Sequence, residues 1–292
     1  MIYDSIIIGA GPSGLTAAIY LLRANKKVLI IEKETIGGQI SSSPLVENYP
    51  GYISISGSEL ANNMYDQVIN LGGEIELEEV IKISENEVIT EDNVYKTKTI
   101  IIATGCKPRV LGLKNEEELI GNGIHFCVSC DGAFYKDKKV AVIGGGNSAV
   151  INAIALSDYC KEVTLIQNLE FLTAEKNLID KLEQKDNIKV ILNKLVTNYF
   201  GEESLKGIIL NNDEEIYVDG LFLSIGQVPN SSFLKKFLDV NEVNYIVSED
   251  CKTKYPNIFV CGDVRTKSIR QLTTATSDGT TCAIMAINYV NE

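Results

Sequence analysis

The sequence lacks a surplus of positive charge. Lysine and arginine number 27 against 39 acidic residues, which gives a formal net charge of -12. Nucleic acids and anionic membranes are bound through cationic faces, so neither is expected as a partner through bulk electrostatics. The chain also lacks a basic leader with a small-residue cleavage site, and no apolar run reaches bilayer-spanning length. We therefore expect a soluble cytoplasmic protein with no membrane partner.

Repeats and low-complexity tracts are also absent. The 23 glycines and 6 prolines follow no period, which excludes collagen and solenoid architectures. A chain of 292 residues with 45% hydrophobic and 23% charged side chains is too long for one small core, so two globular domains are expected. Seven cysteines without an export signal do not predict a disulfide framework, because the cytosol keeps most thiols reduced.

The N-terminal segment has the pattern of a βαβ unit. Ile2–Ile8 is a nearly continuous apolar run, typical of a parallel strand covered on both faces. A turn reading GAGPSG follows at 9–14, then a helix with one apolar face, then a strand at 28–31 that ends at Glu32. Such glycines let the backbone approach a pyrophosphate at a helix N-terminus, and the acidic residue accepts hydrogen bonds from a ribose diol. The alternative is a glycine-rich turn that binds nothing.

The same pattern returns in the middle of the chain. Residues 140–143 predict a strand, GGGNSA at 144–149 a turn, 150–156 a helix and 163–166 the next strand. Two such units predict an α/β fold with two dinucleotide-binding, Rossmann-like domains, the second inserted in the first.

The domain boundaries are placed from these motifs, since no proline- or serine-rich linker marks them. The predicted first domain is 1–112 with 241–292, and the inserted domain is 113–240. Shorter strands are predicted at 75–83, 88–90, 99–103 and 190–192, and a strand at 258–263 is expected to return to the first domain.

Cys127 and Cys130 form a CxxC pair, whereas the other five cysteines are isolated. Such a pair is half of a zinc site, a redox dithiol, or two buried thiols that happen to be close. Zinc requires four ligands, and the chain offers one histidine, His125, and no second close cysteine pair. Two-residue spacing at a helix start favours thiolate formation and exchange between the two sulfurs. We therefore favour the redox dithiol.

Along essentially its whole length the chain resembles the low-molecular-weight thioredoxin reductase family of flavoproteins. The order and spacing of the shared motifs are more specific than any motif alone. They are GAGPSG at 9–14, GGQ at 37–39, VENYPG at 46–51, ATG at 103–105, CVSCDG at 127–132, GQVPN at 226–230, CGDV at 261–264 and RQ at 270–271.

The resemblance implies that the first domain binds FAD. Side chains expected near the flavin, ribityl or phosphate groups are those of Gln39, Asn48, Thr104, Asp263 and Gln271, and Val80 is expected beside the adenine. The complete set of expected cofactor-binding residues is Gly9, Gly11, Pro12, Ser13, Gly14, Glu32, Lys33, Gly38, Gln39, Asn48, Val80, Ala103, Thr104, Gly105, Gly262, Asp263, Arg270, Gln271 and Leu272.

The resemblance also gives roles to the dithiol segment. It implies that Cys127 attacks thioredoxin, that Cys130 faces the flavin and that Asp131 donates and accepts a proton. The alternative for Asp131 is a helix-terminal charge or cap. His125 invites a role as thiolate stabiliser, but its position varies in the family, so we interpret it as a packing or surface residue. The family further implies a homodimer.

The second glycine loop lacks the residues that bind NADPH in this family. There the loop reads GGGDSA followed by two glutamates, and the next strand ends in HRRxxFRA, whose arginines hold the 2′-phosphate. Here both glutamates are missing and 167–174 reads QNLEFLTA. The nearest lysines, Lys161 and Lys176, lack the guanidinium fork. Losing two or three charge-assisted contacts weakens NADPH binding by about 3–9 kcal/mol. The chain has four arginines, all outside 113–240: Arg23, Arg109, Arg265 and Arg270.

NADH is not favoured either, because Gln167 stands where an acidic residue would bind its free ribose. In lacking both nicotinamide signatures the chain resembles the ferredoxin-dependent flavin thioredoxin reductases of anaerobic bacteria. We therefore expect ferredoxin as electron donor, FAD as cofactor and thioredoxin as acceptor. The alternatives are a thioredoxin reductase with an atypical NADPH site, a deazaflavin-fed reductase, and a flavin–dithiol redox sensor.

Docking of an acidic ferredoxin on an acidic chain requires a local cluster of cations. Arg265, Lys267 and Arg270 follow the CGDV motif and are predicted to form this dock. The alternative is that Arg270 contacts FAD and the other two cations are solvated.

Overall fold

The computed structural model describes residues 1–43 and 45–292 and divides them into two compact units. The first unit is Met1–Lys107 with Val228–Glu292, and the second is Pro108–Gln227. The predicted α/β class with two Rossmann-like domains is confirmed. The chain first crosses from one unit to the other after Lys107, and this first crossing lies a few residues before the boundary predicted after residue 112.

The second crossing lies between Gln227 and Val228 rather than near residue 240. The reason is that the chain after Val228 packs on the first unit. Leu234 and Leu238 are buried in its core, and the Asn230 N–H donates to the Gly105 carbonyl at 3.0 Å.

The helices and strands follow in three stretches. Up to the first crossing they are β1 (Ile2–Ile8), α1 (Pro12–Arg23), β2 (Val28–Glu32), α2 (Gly57–Asn70), β3 (Glu74–Leu77), β4 (Val80–Ile83), β5 (Glu87–Thr90), β6 (Val94–Ile102) and β7 (Cys106–Pro108). The inserted stretch contains α3 (Glu116–Leu119), β8 (Ile124–His125), α4 (Val128–Asp131), β9 (Lys139–Ile143), α5 (Asn147–Ser157), β10 (Glu162–Ile166), α6 (Lys176–Leu182), β11 (Ile188–Ile191), β12 (Val196–Phe200), β13 (Gly207–Leu210), β14 (Glu215–Tyr217) and β15 (Gly220–Leu223). The last stretch contains β16 (Gln227–Pro229), β17 (Ile258–Val260) and α7 (Leu272–Asn291).

The main sheet of the first unit has the order β3-β2-β1-β6-β5-β4, with β17 also on β6. β1 pairs parallel with β2 and β6, as expected for a strand followed by a crossover helix. Its residues are buried on both faces: Ile7 lies in the core on the α1 and α7 side, and Ile6 and Ile8 lie in the opposite core. α1 begins at Pro12, whose missing N–H costs nothing at a first helical position.

Two predicted strands are wrong in extent. The segment 75–83 is two strands, because β3 pairs parallel with β2 whereas β4 pairs antiparallel with β5. The strand predicted at 258–263 ends at Val260, and a 3₁₀ turn follows at Gly262–Val264. Gly262 has a φ of 73°, which does not continue a strand.

The second unit contains a parallel sheet of order β11-β10-β9-β15-β8 and a small antiparallel sheet of order β12-β13-β14. β9 lies between two cores. Val140 and Val142 pack with α5 on one side, and Ala141 and Ile143 face the other. The strands predicted at 140–143 and 163–166 are confirmed within one residue, and the helix predicted at 150–156 begins earlier, at Asn147.

α1 and α7 pack closely in the first unit. A Cβ on Gly279 of α7 would collide with the backbone oxygen of Ser13, so the contact requires glycine. In the part of the chain that is described, no helix is both long and apolar enough to cross a bilayer.

Candidate functional site

The first glycine loop joins β1 to α1 and is open at its centre. Gly9 has a φ of 107°, and a Cβ there would lie 2.5 Å from the Ala103 carbonyl oxygen. A Cβ on Gly14 would collide with the Gly9 carbonyl. Among the described residues, nothing lies within 4 Å of the position of a Cβ on Gly11. The loop is therefore crowded against the sheet and open where a phosphate would approach the N-terminus of α1.

The carboxylate of Glu32 is anchored by backbone amides at the end of β2. Its Oε2 accepts a hydrogen bond from Ala10 N–H at 2.7 Å, and its Oε1 accepts one from Glu34 N–H at 2.8 Å. These bonds hold it beside the glycine loop, where acidic residues bind ribose. Lys33 extends away to an exposed ion pair with Glu79 at 3.0 Å.

The GGQ and CGDV motifs are joined through Cys106. Gly38 and Gln39 begin the 3₁₀ turn Gly38–Ser42, and a Cβ on Gly38 would lie 3.4 Å from the Gly11 Cα. Gln39 Nε2 donates to the Cys106 carbonyl, and Cys106 Sγ donates to the Asp263 carbonyl at 2.9 Å. Motifs far apart in the sequence therefore meet at one end of the first-unit sheet.

The ATG motif is held by Asn230 of the GQVPN motif. Thr104 Oγ1 donates to the Asn230 carbonyl at 2.7 Å, and Asn230 Nδ2 donates to the Thr104 carbonyl at 2.8 Å. Gly105, with a φ of 63°, accepts from the Asn230 N–H. These reciprocal bonds fix the chain immediately after β6.

The remaining predicted cofactor residues lie around the start of α7. Asn48 Nδ2 donates to Gln271 Oε1 at 3.4 Å, and the Gln271 N–H donates to Thr274 Oγ1 in a capping box. The side chain of Leu272 packs in a small apolar cluster, and that of Val80 is buried in the main core.

The cations predicted as a ferredoxin dock do not form an exposed patch. Arg265 Nη1 lies 3.2 Å from Asp278 Oδ1 and Lys267 Nζ lies 2.8 Å from Oδ2, with side-chain exposures of 12% and 8%. The Arg270 guanidinium lies 4.0 Å from the centre of the Tyr245 ring. A cation buried against a carboxylate presents little charge to solvent. The predicted dock is therefore wrong, and so is the alternative of two solvated cations.

One oxygen of Asp263 is buried without a partner. Its Oδ1 has no hydrogen-bond partner among the described residues, and burial raises the pKa of this carboxyl. A buried acceptor is costly unless a ligand supplies a donor, and a sugar or ribityl hydroxyl is such a donor. With the open space at Gly11 and the anchored carboxylate of Glu32, this arrangement fits a flavin dinucleotide.

Cys127 and Cys130 form a disulfide in the second unit. Their Cα atoms are 5.3 Å apart, and Cys127 immediately precedes α4. The N–H groups of Cys130 and Asp131 both donate to the Cys127 carbonyl, at 3.2 and 3.0 Å, so one tight turn carries the pair. Both sulfur-bearing residues are partly exposed, whereas the five free cysteines are buried.

Asp131 and His125 meet behind this turn. Asp131 is 8% exposed and His125, in β8, is 6% exposed. His125 Nδ1 lies 3.4 Å from Asp131 Oδ2, and its Nε2 lies 2.7 Å from the Tyr135 hydroxyl. His125 was interpreted as a packing or surface residue. The surface interpretation is wrong because the side chain is buried, and the packing interpretation is incomplete because both ring nitrogens have polar partners.

The second glycine loop, between β9 and α5, is covered by the segment that follows β10. A Cβ on Gly145 would collide with the side-chain amide of Gln167, which is buried. The Thr173 N–H donates to the Gly145 carbonyl at 2.8 Å. Asn147 and Glu175 exchange two hydrogen bonds, at 3.0 and 2.8 Å. The chain's own side chains therefore occupy the mouth of this loop.

Three contributors were missed by the sequence analysis. Asp278 of α7 accepts from the Gly262 N–H at 3.1 Å besides pairing with two cations, and so anchors the CGDV turn. Cys106 links two motifs, and Tyr135 contacts His125. None lies in a motif whose spacing predicts the contact, because each contact depends on the tertiary fold.

Comparisons with known proteins agree with this architecture. Residues 3–279 match the pyridine nucleotide-disulphide oxidoreductase family. The chain is 43% identical to the 34.2 kDa protein in rubredoxin operon of Clostridium pasteurianum, over 98% of this chain and 97% of that one. It is 38% identical to the thioredoxin reductase of Bacillus subtilis strain 168, over 100% of this chain and 96% of that one.

A solved structure is similar over nearly the whole chain. The crystal structure of thioredoxin reductase from Streptococcus pyogenes MGAS5005 has a TM-score of 0.94 at 37% identity, covering 99% of this chain and 98% of that one. With a family match from residue 3 to residue 279, the chain belongs to the pyridine nucleotide-disulphide oxidoreductase family, among its low-molecular-weight thioredoxin reductases.

Proposed function

We propose that this protein is an FAD-dependent thioredoxin-disulfide reductase that takes its electrons from reduced ferredoxin rather than from NADPH or NADH. The observation that carries the choice of donor is the covered second glycine loop. Gln167 packs on Gly145, and Thr173 and Glu175 are hydrogen-bonded across the loop and the first turn of α5. No arginine occurs between residues 113 and 240 to hold a 2′-phosphate.

In this proposal FAD is held by the first unit. The glycine loop would receive the pyrophosphate, Glu32 a ribose, and Asp263 a hydroxyl that satisfies its buried Oδ1. The bound flavin supplies the chemistry that couples one-electron and two-electron carriers. The protein binds and orients the flavin. The Asp263 carboxylate has its full set of hydrogen bonds only when the ligand is bound.

The dithiol carries the exchange with thioredoxin. In the reduced pair, we assign attack on the thioredoxin disulfide to the Cys127 thiolate, which gives a mixed disulfide and releases a thioredoxin thiolate. Asp131 protonates that thiolate and then takes the proton of the Cys130 thiol. Cys130 attacks the Cys127 sulfur, which re-forms the Cys127–Cys130 disulfide and releases the second thioredoxin thiolate. The partial exposure of the Cys127–Cys130 pair and the burial of the other five cysteines support this pair as the redox dithiol, and the order of attack follows the family resemblance.

A nicotinamide donor is the second candidate, since the matching family is described as one of pyridine nucleotide oxidoreductases. Binding of NADPH would require Gln167 to leave Gly145 and would still lack a guanidinium contact to the 2′-phosphate. The cost of about 3–9 kcal/mol argues against turnover with this donor.

Anaerobic bleaching of the flavin absorbance tests the donor. The purified flavoprotein is mixed in separate arms with reduced ferredoxin, NADPH and NADH, and dithionite gives the fully reduced end point. Reduced rubredoxin is a further arm, because the Clostridium pasteurianum relative is described by its place in a rubredoxin operon. Oxidised thioredoxin is then added and its thiols are counted.

We expect bleaching by ferredoxin within the turnover time, little bleaching by millimolar NADPH or NADH, and formation of thioredoxin thiols. Rapid bleaching by either nucleotide would refute the donor assignment. Bleaching by ferredoxin without thioredoxin thiols would refute the acceptor.

A further inference from the structure

Two polar contacts link Asp131 through His125 to Tyr135, and Tyr135 lines a surface pocket within the second unit. Asp131 Oδ2 lies 3.4 Å from His125 Nδ1, and His125 Nε2 lies 2.7 Å from the Tyr135 hydroxyl. Tyr135 lines a pocket of about 280 Å³ that is also lined by Lys138 and Asp219. We infer that His125 and Tyr135 form a proton relay between Asp131 and the solvent in this pocket.

The fold holds the imidazole in one orientation. β8 pairs with β15 so that His125 stands opposite Phe222, and the two rings lie 5.5 Å apart between centroids. The Tyr135 ring contacts both of them edge-on, at 5.4 and 5.6 Å. An apolar ring on one side and a hydroxyl on the other leave each ring nitrogen directed at a single polar partner.

The relay requires one arrangement of protons. Burial, reinforced by the carboxylates of Asp131 and Asp219, raises the pKa of Tyr135 to about 12, so its hydroxyl keeps its proton, and in the relay it donates to His125 Nε2. The imidazole proton is then on Nδ1, directed at Asp131. The 3.4 Å separation is longer than an ordinary hydrogen bond, as is common for proton-transfer pairs in the resting state.

Transfer along this line conserves every proton. Nδ1 gives its proton to the Asp131 carboxylate, Nε2 takes the hydroxyl proton of Tyr135, and a water in the pocket protonates the tyrosine oxygen and becomes hydroxide, which the solvent neutralises. The imidazole proton is then on Nε2 and must return to Nδ1 before the relay passes the second proton. Lys138 Nζ, 5.3 Å from the centre of the Tyr135 ring, would stabilise the negative charge that passes through this oxygen. Asp131 is thus recharged while remaining buried.

The need for such a path rests on the proposed function. Ferredoxin delivers electrons one at a time and brings no proton. Breaking one S–S bond with two electrons and forming two S–H bonds therefore consumes two protons, which must come from solvent. Asp131 follows Cys130 directly but is 8% exposed, so it requires a route by which to exchange its proton.

Proton uptake measured on the holoenzyme tests the relay without a protein donor. The flavoprotein is reduced with reduced methyl viologen in weak buffer containing a pH indicator, and the rate of proton uptake is followed in H2O and in D2O. In the parent we expect two protons per disulfide beyond those that the flavin itself takes up, which the Cys130→Ser variant measures alone, and slower uptake in D2O. His125→Asn keeps a hydrogen-bonding group beside Asp131 but cannot pass a proton, and should slow uptake by roughly a hundredfold or more. Tyr135→Phe removes only the outer link and should also slow uptake.

The matched control is Tyr159→Phe. The Tyr159 hydroxyl occupies the space beside Gly132 that a Cβ there would fill, so it borders the same turn outside the relay. This variant should take up protons at the parent rate. Equal rates for the His125→Asn and Tyr135→Phe variants and the parent would overturn the relay.

Rescue separates proton transfer from packing. In His125→Ala, added imidazole should restore proton uptake, whereas pyrrole fills the same space without a second nitrogen and should not. Equal rescue by both would mean that His125 only packs. Thioredoxin reduction is scored separately, so a parent that takes up protons but does not reduce thioredoxin refutes the proposed acceptor and leaves the relay result standing.

Discussion

Cys130 is one half of the accessible disulfide, and its replacement separates flavin chemistry from dithiol chemistry. Cys130→Ser should leave the flavin bound and reducible by the donor but abolish thioredoxin reduction, because disulfide exchange requires both sulfurs. The flavin content is read from absorbance and the activity from thioredoxin thiols formed.

Cys160→Ser is the matched control for that variant. Cys160 lies in the same unit, is buried, and has a thiol pKa raised to about 11 by burial. It should retain activity. Sustained turnover in the Cys130 variant would exclude the Cys127–Cys130 pair as the redox dithiol.

Asp263 couples the pH to the stability of the flavin-free protein. Burial raises its pKa, so the folded protein holds the carboxyl proton more tightly than the unfolded chain does. This contribution is complete below the unfolded pKa and is lost as the pH rises through the raised folded pKa. Asp263→Asn should therefore stabilise the deflavinated protein by about 1 kcal/mol at neutral pH, with no gain in acid, and should weaken FAD binding.

Urea unfolding of the parent and the Asp263→Asn variant at about pH 4 and pH 8 checks this prediction. Asp239→Asn serves as the control, because Asp239 is an exposed carboxylate paired with Lys254. The same pH slope in the parent and the Asp263 variant would count against an unpartnered buried carboxyl.

At the scale of elements, the first glycine loop offers two substitutions that differ in their effect on the stability of the flavin-free protein. Gly11→Ala meets nothing within 4 Å among the described residues, so the flavin-free protein should be as stable as the parent. Its Cβ would stand where a phosphate approaches, so FAD affinity should fall. Gly14→Ala collides with the Gly9 carbonyl and should lower both affinity and stability.

Titration of FAD into the two deflavinated variants, with melting curves for each, distinguishes these effects. Parent-like FAD affinity in Gly11→Ala would place the cofactor elsewhere.

The segment after β10 can be changed to bind a nucleotide. Replacing Gln167, Asn168 and Thr173 together by arginine removes the amide from Gly145 and restores guanidinium groups at the strand end. NADPH affinity should improve by about tenfold or more, because each charge-assisted contact contributes about 1.5–3 kcal/mol. Anaerobic flavin bleaching at graded NADPH concentrations measures the gain.

Gln167→Glu is the comparison for the triple variant. A carboxylate at that strand end should favour NADH over NADPH, the reverse of the preference that arginines produce. Equal response of both variants to both nucleotides would show that the covered loop, and not charge, excludes them.

The sequence predicts the strands that are buried on both faces, because a continuous apolar run identifies such a strand without knowledge of the tertiary fold. β1 and β10 are nearly uninterrupted apolar runs, and their predicted bounds agree with the structure within one residue. The segment 75–83 was mispredicted as one strand because an apolar run does not reveal that β3 and β4 pair with different strands. The contacts of Asp278 with Arg265 and Lys267 are set by the return of α7 and have no local signature.

At the scale of the whole molecule, net charge governs the encounter with an acidic donor. The chain has 39 acidic against 27 basic residues, and Arg265 and Lys267 are neutralised locally by Asp278. Like charges repel until they are screened, and the Debye length falls from about 30 Å at 0.01 M salt to about 10 Å at 0.1 M. The rate of flavin reduction by ferredoxin should therefore rise over this range.

Stopped-flow bleaching at several salt concentrations tests the charge effect, with reduced methyl viologen as a donor of opposite charge. A steep fall in the ferredoxin rate with added salt would reveal a cationic docking surface elsewhere on the protein.

All five free cysteines are buried: Cys106, Cys160, Cys251, Cys261 and Cys282. In the folded protein, the number of thiols that react with a reagent in solution therefore reports whether the Cys127–Cys130 pair is reduced. A water-soluble electrophile should add no label to the oxidised protein and two labels to the reduced protein, so the intact mass of the chain distinguishes the two redox states. Quenching a culture with such a reagent and weighing the intact protein would then read the fraction of enzyme held reduced at that moment, with no assay of activity.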